Sequence, residues 1–354
     1  LRILSRLFFC IAIITCSLLF ANEKPPLRKM IAQMIMVGFN GANQNEAKSA
    51  ISDAKYQRFG GVMLLGKNVK DKESLKSLTV AFKNAQKNIF IAIDEEGGIV
   101  TRFKDKVGFE TFISASEVAR KLDLESAKEL YGRMATQLKE VGVNLNFAPV
   151  VDVLDTVSPI IASKDRAFSR DIDEVSLYAS EFLDAFSEVG VLTTLKHFPG
   201  HGSAQTDSHN AKTVIENFNY NELKPYYDAI KKNQARLIMV SHVYLNQEDN
   251  QNPSSLSEKI IQNLLREKLK FDGAVISDDM LMGGLKDFSL TQKVVNFINA
   301  GGDILLFSDF MIGEQKTAEY VTQIIVDAVN QKKIPKERIE LSYERIMKLK
   351  SELQ

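Results

Sequence analysis

Short, continuous apolar runs alternate with longer amphipathic segments along most of the chain. The runs Met34–Val37, Val62–Leu65, Ile89–Ile93, Leu145–Val150, Leu192–Leu195, Leu237–Val240, Ala274–Ile276 and Ile304–Phe307 read as strands. They lack the in-out alternation of a half-exposed strand, so they suit parallel strands covered on both faces. Between them, Lys72–Gln86, Leu124–Val141, Val175–Val189, Glu222–Asn233, Ser257–Leu269 and Gln315–Asn330 carry helical periodicity, and a last helix is expected near Lys336–Leu353. Eight strands alternating with helices predict an α/β protein with a single (β/α)8 barrel over residues 25–354. A doubly wound open sheet is the alternative, because strand count alone does not close a barrel.

The first two dozen residues break this rhythm. Arg2 and Arg6 precede an apolar run from Leu7 to Phe20, and the small Ala21 is followed by Asn22, Glu23 and Lys24. A basic start, an apolar stretch and a small residue predict a secretory signal over residues 1–21, hence export, with the periplasm as destination. Retention in the cytoplasm or on a membrane anchor is the alternative. The run is shorter than the ~20 apolar residues a span needs, so no stable span is expected after cleavage. Both cysteines, Cys10 and Cys16, lie in this segment. The cleaved chain would therefore have no disulfide, and lipidation of Cys16 is a secondary reading.

Composition adds two exclusions. The 354 residues carry 45 basic and 45 acidic side chains, a balance that argues against a general nucleic-acid partner. An apolar content of 45% with 25% charged residues excludes a disordered chain.

Barrel enzymes build their sites at the carboxyl ends of the strands, and here those ends are polar. Asp94 closes the third strand, Asp152 follows the fourth, Lys196 and His197 close the fifth, Ser241 and His242 the sixth, and Asp278 and Asp279 the seventh. All four histidines are His197, His201, His209 and His242. A zinc site is disfavoured, because Pro199 and Gly200 forbid a helix that would place His197 and His201 on one face; no metal or cofactor is expected. In Asp207-Ser208-His209 the carboxylate can accept a proton from the imidazole two residues on, which fixes its tautomer and raises its basicity. A merely structural Asp–His bond is the alternative. Asp278 or Asp279, at the end of an apolar strand, can attack an electrophilic carbon or hold a cation; periodicity does not say which faces the barrel axis. In Asp94–Arg102 an acid and a base flank Gly97 and Gly98, glycines that would let a ligand approach the backbone.

These segments together resemble glycoside hydrolase family 3, and within it the bacterial β-N-acetylglucosaminidases that act on peptidoglycan fragments. The resemblance rests on Asp94–Arg102, Asn146–Asp152, Asp165-Arg166-Ala167-Phe168, Lys196–His209 and Ile276–Asp279, in order over nearly all of residues 25–354. It implies retaining hydrolysis of terminal β-linked N-acetylglucosamine through a glycosyl-enzyme intermediate. It also implies Asp278 as nucleophile and His209, oriented by Asp207, as acid and then base. Sugar binding falls by the same resemblance to Asp94, Arg102, Arg166, Lys196 and His197, with a peptidoglycan-derived sugar or muropeptide as partner. A β-glucosidase or β-xylosidase specificity and a catalytically silent sugar-binding envelope protein are the competing readings. The small residues Gly200, Gly202, Ser203 and Ala204 predict a mobile segment leading to Asp207 and His209.

Overall fold

The computed structural model describes residues 24–154, 160–204, 206 and 212–353. Residues 1–21, expected to be a secretory signal, and with them both cysteines, as well as Asp207 and His209, lie outside them. Eight parallel strands form one sheet: β1 (Ile35–Gly38), β2 (Gly61–Leu64), β3 (Phe90–Ile93), β4 (Leu145–Asn146), β5 (Leu192–Phe198), β6 (Leu237–Val240), β7 (Ala274–Ser277) and β8 (Leu305–Phe307). Their spatial order is β8-β1-β2-β3-β4-β5-β6-β7. The two outer strands meet through a parallel bridge between Ile276 and Ile304, and Ser277 Oγ accepts the Leu306 amide at 3.0 Å. The sheet thus curls into the expected barrel rather than an open doubly wound sheet.

All eight strands are buried along their whole length, which is why they read as unbroken apolar runs. The helices start where their first free amides find side-chain acceptors. Asp71 caps α1 (Lys72–Ala85), Asp123 caps α2 (Leu124–Glu140), Asp171 caps α3 (Ile172–Val189), and Ser289 with Gln292 forms a capping box on α4 (Leu290–Asn299). Gly190, at φ 80°, ends α3 in the left-handed conformation that a side chain would strain. The helix α5 (Lys336–Lys350) closes the chain against the amino-terminal end of the barrel.

Four elements depart from expectation. The fourth strand pairs regularly only over Leu145–Asn146. Pro149 lacks an amide to donate, and beyond it contact with β5 continues through a Val150–Lys196 bridge. The fifth strand runs on to Phe198 with a register shift between Leu195 and Phe198. Residues Gln315–Lys316 pair with Met311–Ile312 in a small antiparallel ribbon, so the following helix starts only at Thr317. The helix expected over Ser257–Leu269 is a π-helix over Lys259–Lys268.

Candidate active site

At the carboxyl ends of the strands lies a cavity of about 420 Å³ whose lining includes Asp94, Arg102, Arg166, Lys196, His197 and Asp278. All six described residues expected to form the site are therefore brought together. Another cavity of similar size opens beside Gly190–Thr193 and Asn233–Arg236, ahead of β5 and β6, on the end of the barrel where strands begin. It lacks this convergence of charged groups.

The site is framed by a chain of ion pairs. Lys196, 2% exposed at its side chain, donates to Asp94 Oδ1 at 2.8 Å and lies 2.6 Å from Glu96 Oε1. Arg166 grips Glu96 with two parallel bonds, Nε to Oε2 and Nη2 to Oε1, both 2.8 Å. Arg102 Nη2 donates to Asp94 Oδ2 at 2.7 Å. Burial alone would raise the acids, but Lys196 and Arg102 hold Asp94 below the usual carboxylate range, and Arg166 with Lys196 holds Glu96 well below it. Burial likewise works against the Lys196 ammonium, and Asp94 and Glu96 outweigh it. The paired groups stay ionised in a site where an unpaired charge would be costly. Arg102 Nε is buried without a hydrogen-bond partner, a donor that a ligand oxygen would satisfy.

Asp152 and His197 form a second layer. Asp152 Oδ2 is 2.7 Å from His197 Nδ1, and its Oδ1 accepts the backbone amides of His197 at 3.2 Å and His201 at 2.8 Å. A carboxylate only accepts and a guanidinium only donates. The tautomer that suits both has the proton on Nδ1 and turns the Nε2 lone pair to Arg166 Nη2, 3.4 Å away. The polar atoms of His197 thus serve the frame, and the part of it left for a ligand is its ring surface. The peptide bonds Lys196–His197, Ala148–Pro149 and Phe198–Pro199 are cis.

The two strand-end aspartates both border the cavity and differ in their partners. Asp279 Oδ1 accepts the amides of Leu281 at 3.1 Å and Ser308 at 3.0 Å, stitching the end of β7 to the end of β8. Asp278 Oδ1 accepts the Asp279 amide at 2.8 Å, and the half-buried side chain lines the cavity.

One local expectation needs correction. Gly97 and Gly98 do not serve ligand approach. Both have positive φ, and a Cβ at Gly97 would meet the Ile113 carbonyl oxygen at 2.3 Å, so they let the loop fold onto residues 112–114. The segment from Gly200 to Ala204 is closely packed. A Cβ at Gly202 would lie 1.8 Å from the Val153 carbonyl oxygen, and Ser203 Oγ donates to Glu222 Oε1 at 2.8 Å. Its small residues permit this close packing.

Glu96 and Asn146 carry roles that the sequence did not single out, and Asp152, read there only as a strand-end acid, holds His197. Asn146 brackets Glu95, donating to its carbonyl at 2.9 Å and accepting its amide at 3.0 Å, which fixes the start of the Asp94–Arg102 loop against β4. Asp152 had a usable signal in its strand-end position. Glu96 had none that separates it from Glu95. Among the described residues no three His, Cys, Asp or Glu side chains are placed to hold a metal ion.

A nearly closed parallel barrel with a polar, ion-paired cavity at its carboxyl mouth places that cavity where enzymes of this fold carry their active sites. Residues 26–349 match the glycosyl hydrolase family 3 N-terminal domain. The chain is 38% identical over 257 residues to a β-hexosaminidase of Idiomarina loihiensis, covering 70% of this chain and 75% of that protein. Its fold superposes on a family 3 β-N-acetylglucosaminidase from Paenibacillus sp. with a TM-score of 0.85 at 27% identity, over 93% of this chain and 63% of that one. The β-N-acetylhexosaminidase of Beutenbergia cavernae shares the fold with a TM-score of 0.84 at 24% identity, over 93% of this chain and 100% of its own. The chain belongs to glycosyl hydrolase family 3 and is a glycoside hydrolase.

Proposed function

We propose that the protein is a β-N-acetylhexosaminidase that releases terminal β-linked N-acetylglucosamine with retention of configuration, acting on peptidoglycan fragments after export. The carrying observation is that Asp278 lines the same cavity as the Asp94–Lys196–Glu96–Arg166 frame. A sugar held by hydroxyl contacts to Asp94, Arg102, Arg166 and Lys196 would then lie within the cavity that Asp278 borders. The Asp278 carboxylate attacks the anomeric carbon as the bond to the leaving oxygen breaks, and His209, supported by Asp207, gives that oxygen its proton. In the second step His209 takes a proton from water, whose oxygen displaces Asp278. An imidazole suits this place because, in its neutral form, it adds no second negative charge beside the nucleophile. The β-hexosaminidase and β-N-acetylglucosaminidase names of the similar proteins support this specificity over a glucosidase or a silent binding protein.

Asp278→Ala should lower turnover of 4-nitrophenyl N-acetyl-β-D-glucosaminide by roughly 10⁴-fold or more. Near-normal activity would refute the nucleophile. Purified muropeptides and fractionated cells test the substrate and the compartment: no N-acetylglucosamine released, or activity confined to the cytoplasm, rejects those parts of the proposal.

A further inference from the structure

His242 follows β6, is fully buried and does not line the cavity. Both ring nitrogens are engaged: Nδ1 is 2.7 Å from Ser255 Oγ and Nε2 is 3.0 Å from the backbone oxygen of Asp279. A carbonyl only accepts, so Nε2 carries the hydrogen and Nδ1 accepts from the Ser255 hydroxyl. Burial drives the imidazole towards this singly protonated form, against the pull of the Asp278 charge. Ser255 is itself fixed. Its amide donates to Ser241 O at 3.0 Å, and Ser254 bonds Val243 O through both its amide at 2.8 Å and its hydroxyl at 2.7 Å. The turn at residues 254–256 is thereby laid back along the continuation of β6.

Residue 279 receives this support and passes it on. Its carbonyl accepts from His242, its carboxylate accepts from Leu281 and Ser308, and its amide donates to Asp278 Oδ1. We propose that His242, held by Ser255, is a positioning residue for Asp278. Its bond to the Asp279 carbonyl fixes the residue whose amide aims the Asp278 carboxylate into the cavity. The inference rests on the reading of Asp278 as nucleophile. It adds that the aim of that carboxylate is set from the neighbouring strand, by a side chain that never meets the substrate.

A positioning role separates chemistry from binding. The residues assigned to the sugar sit on β5 and the loops after β3 and β4, and neither hydrogen bond of His242 goes to one of them. We would measure kcat and KM on 4-nitrophenyl N-acetyl-β-D-glucosaminide, the Kd of N-acetylglucosamine by calorimetry, and Tm, for H242F, H242Q, S255A and D278A of the full chain. A displacement of about 1 Å at a reacting group costs about a hundredfold. H242F should therefore lower kcat by about that factor while the Kd of N-acetylglucosamine stays within about twofold. H242Q keeps one donor and one acceptor and should recover about tenfold of the loss. S255A should lower kcat by about three- to tenfold in the same sense, and it decides the question if H242F does not fold. Equal losses in kcat and in N-acetylglucosamine affinity, or full kcat in both H242F and S255A, would overturn the positioning role. Should D278A keep its turnover, the nucleophile reading falls and this inference with it. Should D278A be inactive while H242F and S255A are fully active, only the positioning role falls.

Discussion

Glu95 and Glu96 are adjacent and both buried, yet their surroundings drive them in opposite directions. Glu96 meets Arg166 and Lys196 and stays ionised. Glu95 meets no cation at bonding distance among the described residues. Its Oε2 accepts from Thr101 Oγ1 at 2.6 Å and the Arg102 amide at 3.3 Å, and its Oε1 is buried without a partner. Burial pushes the Glu95 carboxyl up to about 7, from 4.5. Because the folded-state value is the higher, the folded protein holds an extra proton between those values, and stability falls as pH rises through that window. A proton on Oε1 leaves Oε2 free to accept both of its bonds, which Glu95→Gln reproduces without titrating. The difference in unfolding free energy between Glu95→Gln and the natural chain should therefore shift towards the variant from pH 4.5 to 7 by up to about 3 kcal/mol. It should then level off. Urea unfolding of both proteins across that range gives the answer; a difference independent of pH would show Glu95 ionised throughout. This contrast was not legible in the sequence, where Glu95-Glu96 is simply a pair of acids. Asp94, Arg102, Lys196 and Asp278 were legible because each stands at a strand end or in a motif that the family resemblance carries. The partners that set their charge come from other strands, and separations as long as that between Glu96 and Arg166 leave no local pattern.

At the scale of elements, the strands were legible because burial on both faces leaves an unbroken apolar run. Their ends were less so, since Pro149 shortens β4 and the register shift lengthens β5 without a change in apolar pattern. The charged clamp that docks the last helix was invisible for the same reason as the Glu96 partners. Asp303, fully buried before β8, accepts from Arg266 Nη2 at 2.6 Å, Arg338 Nη2 at 2.9 Å and Ser342 Oγ at 2.7 Å, and Arg345 Nη1 lies 3.4 Å away. Burial would raise this carboxyl, and the three guanidinium groups hold it below the usual range. Burial in turn brings Arg266 down to about 10. One carboxylate thus joins the π-helix, α5 and the Val275 amide of β7, which donates to it at 2.9 Å. Asp303→Asn leaves three guanidinium groups around a neutral amide and should cost about 3–5 kcal/mol in urea unfolding. Glu340→Gln on the same helix, a half-buried acid whose partners are the exposed Lys24 and Lys336, should cost less than about 1 kcal/mol. Equal effects of the two substitutions would mean that the buried clamp is not what docks α5.

Over the whole molecule, the barrel brings residues 94 to 278 to one mouth, and the protonation states there are set by pairing. Asp94 and Glu96 are held as carboxylates, Lys196 and Arg166 as cations, and the Asp279 carboxyl is occupied by backbone amides. Among the described residues of this frame, Asp94, Glu96, Lys196 and Arg166 are committed to one another, and the proton for the leaving oxygen is proposed to come from outside these four. The proposed supplier is His209, and its place in the chain makes the proposal testable by leaving group. The segment leading to it is anchored at His201 by Asp152 and at Ser203 by Glu222, so the distance from the frame to the acid is counted from Ala204 onward. General-acid help matters where the leaving oxygen is basic and is nearly idle where it is not. His209→Ala should therefore slow alkyl and disaccharide N-acetylglucosaminides by about 10²- to 10⁴-fold in kcat/KM, while 4-nitrophenyl substrates lose less than about tenfold in the same quantity. Asp207→Ala should show the same ordering more weakly, because it orients and tunes the imidazole without replacing it. In pre-steady-state measurements the aryl substrates should still show a fast release of nitrophenol followed by slow turnover, since the same imidazole activates water in the second step. If His209→Ala slows both substrate classes equally while the glycosyl-enzyme forms at the normal rate, His209 is the base of the second step alone and the acid of the first lies elsewhere.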